Sequence, residues 1–290
     1  MSRFSNSMEL VKECVTVLRS DKELSVFPVI SSLSVLLVTA AFAIPMYFGG
    51  LLDRLQADGG PVATDYLILF SYYLVLYFVI IFCGSALIGA AMVRLRGGDP
   101  TLRDGFRAAG GRLGAILGYS AISATVGVLL GLLSSRGGAA GRAGSVVAQT
   151  GWSILSFLAM PILVMEGVGP VEAIKRSGRL LKKTWGDQLI GTGGIGLVFG
   201  LLMFAIILLG IAFGVVAAKA ESAAVLVTVI GIALLALAFV GVISATLTGI
   251  YRAALYSFAT TGEVGPFFNA DVIKKAFSAK PQQSSMIGRV

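Results

Sequence analysis

Residues 66–93 read YLILFSYYLVLYFVIIFCGSALIGAAMV, 28 positions without one charged side chain. The next 19, RLRGGDPTLRDGFRAAGGR at 94–112, hold five arginines and two aspartates. A bilayer's hydrocarbon core takes about 20 apolar residues per helix, and half-buried helices of soluble domains do not stay uncharged for so long. The first stretch is therefore a membrane span, and the second is the polar segment that follows it on one side of the membrane.

Working outward, five more stretches have the same character, at about 25–50, 113–133, 147–166, 189–218 and 223–251. Hydrophobic residues make up 56% of the 290 positions and charged residues 13%, far from the mix of a soluble domain. The chain reads as all-α: a polytopic membrane helix bundle of six transmembrane helices. One six-span domain covers 1–260, and a cytoplasmic amphipathic tail covers 261–290. Roughly 24 residues of mixed charge precede the first span, which reads as an uncleaved anchor rather than a signal peptide.

The basic residues orient these spans. Arg3, Lys12, Arg19 and Lys22 precede the first span, and Arg94, Arg96, Arg103, Arg107 and Arg112 follow the second. Lys175, Arg176, Arg179, Lys182 and Lys183 follow the fourth; Arg252, Lys274, Lys275, Lys280 and Arg289 follow the sixth. The alternate gaps hold only Arg54, Arg136, Arg142 and Lys219, so the two sides carry 19 and 4 basic residues. Acids divide 11 and 4, leaving one face at +8 and the other neutral. Basic residues in short loops stay inside, which places both termini in the cytoplasm of a prokaryotic inner (plasma) membrane. Insertion topology and anionic lipid at the cytoplasmic face account for the basic balance, and no nucleic-acid partner is expected.

Three of the basic segments also have helical periodicity. In 5–19, Leu10, Val11, Cys14, Val17 and Leu18 share one face while Lys12, Glu13, Thr16 and Arg19 face away, and Asn6 with Glu9 has capping-box spacing. Ser20 and Glu23 have the same spacing before the first span. After Pro170, Val171, Ile174, Gly178, Leu181 and Trp185 recur at helical spacing, with the five basic residues Lys175, Arg176, Arg179, Lys182 and Lys183 placed to contact inner-leaflet lipid. Asp99 and Pro100 open a weaker copy with Leu102, Phe106, Ala109 and Leu113. These are cytoplasmic interfacial amphipathic helices. Each precedes two spans, so the chain is open to reading as three parallel internal repeats, or as loops that resemble one another because all are short and basic. Of the outer gaps, 53–65 is acidic and 134–145 is a Gly, Ala, Ser and Arg run expected to be a flexible loop.

The residues that carry chemistry are missing. The chain has no histidine, and its two cysteines, Cys14 and Cys83, are not at metal-site spacing. All fifteen acids fall in gaps or at span edges, so no proton relay is expected. No cofactor, metal or catalytic residue is expected, and the chain is not expected to be an enzyme. Pro161 and Glu166, at the end of the fourth span, form a possible gate at the cytoplasmic mouth; a plain edge carboxylate near Lys175 or Arg176 is the simpler reading of Glu166. Glycine is plentiful, with 37 residues, and Gly127 with Gly131, Gly196 with Gly200 and Gly210 with Gly214 have the small-xxx-small spacing that lets membrane helices approach. Such pairs serve either packing within one chain or association between chains. Gly191, Gly193 and Gly194 mark a candidate hinge, and Tyr66, Tyr72, Tyr73 and Tyr77 cluster in the outer part of the second span.

The opening Arg3-Phe4-Ser5-Asn6-Ser7, with Leu18-Arg19-Ser20-Asp21-Lys22-Glu23-Leu24 and Phe27-Pro28, resembles a family of six-span prokaryotic membrane proteins described only as a domain of unknown function. Asp99 to Phe106, and Ala173-Ile174-Lys175-Arg176-Ser177 running to Thr184-Trp185-Gly186, are similar to that family's inner-loop motifs. Met8 stands where the family usually has an aromatic. The resemblance implies topology and no activity. The functional expectation is a structural, assembly or auxiliary subunit associating through glycine-rich helix faces as a homo-oligomer or within a larger membrane complex. The alternative is a passive channel or permease for a small or lipid-like solute.

Overall fold

The structure is a computed structural model that describes residues 3–51, 54, 62–185, 194–219, 223–263 and 265–268. It is all-α, with no strand among the described residues. The helices are α1 (Arg3–Ser20), α2 (Val26–Phe48, entered through a 3-10 turn at Lys22–Ser25), α3 (Ala63–Leu95), α4 (Leu102–Gly110), α5 (Leu113–Arg136), α6 (Gly138–Leu155), α7 (Ala159–Glu166), α8 (Pro170–Trp185), α9 (Gly194–Lys219) and α10 (Ala223–Thr261). Among the described residues, six stretches are long and apolar enough to cross a membrane, with α6 and α7 together making the fourth. The order runs three times through a short helix followed by two spans.

α3 is the hub, packed against α2, α4, α5, α7 and α10. Its segment Ser85–Met92 is wholly buried. The small residues there let neighbours approach closely: a Cβ on Gly89 would stand 2.8 Å from the Ala108 Cβ, and one on Gly105 would stand 2.7 Å from the Ala86 carbonyl oxygen. α4 therefore lies directly on α3. Phe27 closes the seam, with its ring 5.2 Å from that of Phe106. α1 contributes Leu10, Cys14 and Val17 to the same core and contacts α9 and α10. Burial raises the Cys14 thiol pKa above its ordinary value, which makes it an inert packing residue.

Burial is uneven along the spans. Leu247, Ile250, Ala253, Ala254 and Leu255 of α10 are completely buried, as are Leu158 and Ile162 at the start of α7. By contrast, the most apolar 18-residue windows of α9 and of α10 bury none of their residues. Leu201, Phe204, Leu208, Phe213 and Val216 on α9, and Val227, Leu234, Leu235 and Phe239 on α10, are exposed apolar side chains. The packed core thus sits at the end that carries α1, α4 and α8, called here the basic end. At the other end the α9–α10 hairpin stands apart, with α9 packed mainly on α10 and, near the basic end, on α1.

Four sequence expectations change in detail. The 134–145 run is no loop: α5 reaches Arg136 and α6 starts at Gly138. Gly137 allows this sharp turn, because a Cβ there would collide with Gly141 and would stand 2.7 Å from the Leu133 carbonyl. The fourth span breaks at 156–158, and Pro161 falls in the first turn of α7, where a missing N–H costs nothing. The last helix continues ten residues beyond 251, to Thr261. Finally, Asp21 rather than Ser20 caps the first span's entry, accepting from the Glu23 N–H at 3.1 Å, while Ser20 Oγ donates back to the Val17 carbonyl. The hinge glycines Gly191 and Gly193, most of 53–61 and the tail beyond Phe268 lie outside the described residues.

Candidate functional site

At the basic end, α8 is clamped rather than laid free on a surface. The Glu166 carboxylate ends α7 and forms an ion pair with Arg176; its other oxygen accepts from the Tyr256 hydroxyl of α10 at 3.2 Å. Arg176 Nε also donates to Glu172 at 3.0 Å, and Arg179 donates to the same Glu172 oxygen at 2.7 Å. The Arg176 hydrogen bond, then the charge of Arg179, holds the Glu172 carboxyl below the usual carboxylate range. Glu166 thus ties α7, α8 and α10 together, which is a structural use of the residue placed as a gate. The sequence shows the acid at a span edge; it does not show Tyr256 arriving from ninety residues away.

The five basic residues of α8 divide accordingly. Arg176 and Arg179 are spent on Glu166 and Glu172. Lys175, Lys182 and Lys183 are exposed and hold no ion pair among the described residues. Pro161 is buried beside Ile162 and Leu163. The break before α7 is satisfied internally, since the buried Leu158 N–H donates to the Ser177 hydroxyl at 3.1 Å. Ser177 has no sequence signature beyond its place in the Ala173–Ser177 motif.

Arg94 and the α4 cap were also invisible in their roles. Arg94 reaches back to α1, donating to the Ser20 carbonyl at 3.2 Å, and pairs with Asp99 at 3.3 Å. Thr101, not Asp99, caps α4: its hydroxyl accepts from the Asp104 N–H at 3.3 Å while the Asp104 carboxylate accepts from the Thr101 N–H at 3.0 Å. The Thr101 hydroxyl holds the Asp104 carboxyl below its ordinary value. The Thr-x-x-Asp spacing was the available signal.

The glycine pairs separate by environment. A Cβ on Gly127 would stand 3.1 Å from the Tyr77 hydroxyl, and one on Gly210 would stand 3.2 Å from the Ala233 Cβ, so both serve packing within the chain. Among the described residues, nothing lies within 4 Å of such a Cβ at Gly131, Gly200 or Gly214. Gly131 lines a cavity of about 460 Å³, away from the basic end, with Tyr73, Tyr77, Gln149 and Thr150. Gly200 and Gly214, fourteen residues apart, share a face of α9 with exposed Ile207 and Ile211. Gly196 is helical, but its surroundings lie outside the described residues.

Among the described residues, Arg252 is a charged side chain that enters the bundle without an ion pair. The sequence puts Arg252 just past the last span, but α10 carries it against α7, with its guanidinium 5.1 Å from the Phe157 ring centre and Nη1 3.7 Å from the Met160 sulfur. It lines a cavity of about 280 Å³ between α2, α3, α7 and α10. Among the described residues, no group of three or more His, Cys, Asp or Glu side chains is placed to hold a metal ion.

Residues 63–267 match a family of unknown function, DUF6159, and the chain belongs to that family. The match begins at the start of α3 and ends just past α10, so it takes in five of the six spans. No curated protein matches the chain.

Proposed function

We propose that this member of DUF6159 is a non-enzymatic assembly subunit that pairs with a second copy of itself through the open face of α9. The observation that carries this reading is the strip Gly200, Ile207, Ile211 and Gly214 on a span that buries none of its most apolar window. Lipid tails are as apolar as leucine, so a membrane helix associates where small residues let a partner's backbone come close. A two-fold interface sets one patch against itself, and this strip, about 21 Å long, supplies both halves. Gly210, one turn before Gly214, packs on α10 through Ala233, so the strip borders the α9–α10 contact.

In this reading the chain lies in a prokaryotic inner membrane with its basic end and both termini in the cytoplasm. α1, α4 and α8 lie at that interface as amphipathic helices, and Lys175, Lys182 and Lys183 meet anionic headgroups there.

A second reading, a passive permease for a small or lipid-like solute, draws on the two cavities. They share no lining residue and have only α3 in common, so they do not form one continuous path among the described residues, which leaves it second. The test is single-molecule photobleaching of the full chain in liposomes over a range of protein-to-lipid ratios. The wild type is expected to reach two steps, and Gly200→Leu with Gly214→Leu to remain at one step with unchanged thermal unfolding. A wild type that stays monomeric at every ratio overturns the assembly reading, and turnover of a lipid by the purified chain overturns its non-catalytic part.

A further inference from the structure

We infer that the cavity between α2, α3, α7 and α10 binds an acyl-chain amphiphile by its acidic headgroup, a phosphate or a carboxylate, with Arg252 as the counter-charge. A guanidinium inside a membrane bundle is costly unless it is paired. Arg252 is without a carboxylate among the described residues. It packs against the face of Phe157 and the sulfur of Met160, a weak acceptor, and lies near Tyr119, and its buried Nε has no hydrogen-bond partner among the described residues. The nearest acid of α7, Glu166, is already taken by Arg176 and Tyr256. Among the described residues, the fold therefore holds a charge without a counter-ion at the wall of a cavity.

The rest of the wall suits the headgroup end of a lipid. Ser31, Ser32 and Thr248 bring hydroxyls, while Ile80, Leu87 and Met160 bring apolar surface. Gly249 keeps α10 close to α3 here, since a Cβ at that position would collide with Leu87. The depth is right as well. Arg252 lies nine residues, about 14 Å of helix, before the end of α10, and Ser31 lies five residues into α2. Both heights fit the boundary between headgroups and acyl chains. A cavity of about 280 Å³ takes a headgroup and leaves the chains outside, against the exposed apolar flank of Leu33 and Leu36 on α2.

This site is distinct from the lysines of α8, which are exposed and meet any anionic surface. The test is native mass spectrometry of the full chain in a neutral detergent, titrated separately with phosphatidylglycerol, oleate and phosphatidylcholine. One adduct that saturates well before the rest is expected with phosphatidylglycerol or with oleate, and the better of the two identifies the headgroup as phosphate or carboxylate. Phosphatidylcholine is expected to bind at least tenfold more weakly. Arg252→Gln is expected to weaken that first adduct about tenfold, while Lys175→Gln with Lys182→Gln leaves it unchanged. Thr248→Leu, which fills the cavity and keeps the charge, is expected to remove it too. Equal binding of phosphatidylcholine by the wild type overturns the inference without any variant. So does a first adduct that survives in a folded Arg252→Gln or Thr248→Leu protein.

Discussion

Adding one methyl group at Gly105 tests whether α4 is part of the packed bundle or only a surface loop. A Cβ added at Gly105 would stand 2.5 Å from Phe27 Cζ, 2.9 Å from its Cε1 and 2.7 Å from the Ala86 carbonyl oxygen. Carbon atoms pack at about 3.5–4.0 Å, so relief needs a movement of roughly 1 Å. Phe27 has little room, being 1% exposed and pressed on Phe106, and the Ala86 oxygen belongs to the backbone of the hub helix. Overpacking of this kind costs about 1–3 kcal/mol, and a backbone contact puts it in the upper half of that range. Replacing a helical glycine by alanine returns about 1 kcal/mol. Gly105→Ala is therefore expected to lose about 1–2 kcal/mol net. Gly110→Ala, on the same helix with nothing within 4 Å among the described residues, is expected to be neutral or to gain up to about 1 kcal/mol. At about 2–4 °C per kcal/mol, the difference of about 1–3 kcal/mol between the two single-methyl variants should appear as a gap in Tm of roughly 2–12 °C in one detergent, followed by far-ultraviolet circular dichroism. Equal melting temperatures, or a Gly105→Ala protein more stable than wild type, would refute the seating of α4 on α3.

Gly210→Leu should separate α9 from α10 at Ala233 and lower the melting temperature by several degrees, unlike Gly200→Leu or Gly214→Leu; a thermal scan of the three variants decides it. Ser177→Ala leaves the buried Leu158 N–H without its acceptor and should cost about 1–3 kcal/mol, with faster amide exchange at the α6–α7 break. Glu166→Gln keeps the shape but removes the charge from Arg176, which retains Glu172; the expected loss is about 1 kcal/mol, and solute flux through liposomes should not change unless Glu166 is a gate. The α4 cap should be acid-sensitive. Folded Asp104 titrates below its ordinary value of 3.8, so its stabilisation is present above that pH and fades as pH falls through the lower folded value. Exchange at residues 101–105 should rise there in the wild type and lose that acid dependence in Asp104→Asn.

The spans were legible because a bilayer imposes length and neutrality on each helix separately, so 66–93 needs no knowledge of its neighbours. The cap at Thr101 and Asp104 was also local and could have been read. What was not legible depends on distant partners. Gly210 and Gly214, one turn apart, are equivalent in the sequence; what separates them is Ala233 on the next helix, which approaches the first and has no counterpart within 4 Å of the second among the described residues. Arg252 looked like a tail residue because counting apolar positions ends a span at the first charge. Its helix continues, and Phe157 and Met160 of the fourth span receive the guanidinium. The glycines of 134–145 looked like a flexible run because composition does not say whether glycine serves freedom or close approach. At Gly137 it serves close approach, since neither Gly141 nor the Leu133 carbonyl leaves space for a side chain.

The position of the core follows from the solvent at each depth. Inside lipid, burying Leu201 or Leu235 against another helix removes no apolar surface from water, so the hydrophobic effect gives no reason to pack them. At the interface it does. Leu10, Cys14 and Val17 of α1, Ala109 of α4 and Ala173 and Leu181 of α8 face water unless they are covered, and all are buried. If the short helices lie at that interface, as proposed, they supply the water-driven part of folding and gather α3, α7 and the last turns of α10 beneath them. Away from that end, what holds helices together is van der Waals contact at small residues, satisfied between α9 and α10 at Gly210 and left open at Gly200 and Gly214. Burial is thus concentrated at the basic end, and the apolar windows of α9 and α10 are left unburied within the chain. If the short helices were decoration, removing the apolar face of one, as in Leu10→Ser with Val17→Ser, would cost no more than two exposed substitutions, within about 1 kcal/mol in total. If they organise the bundle, two buried hydroxyls without partners should cost several kcal/mol and loosen α9 and α10 from the rest.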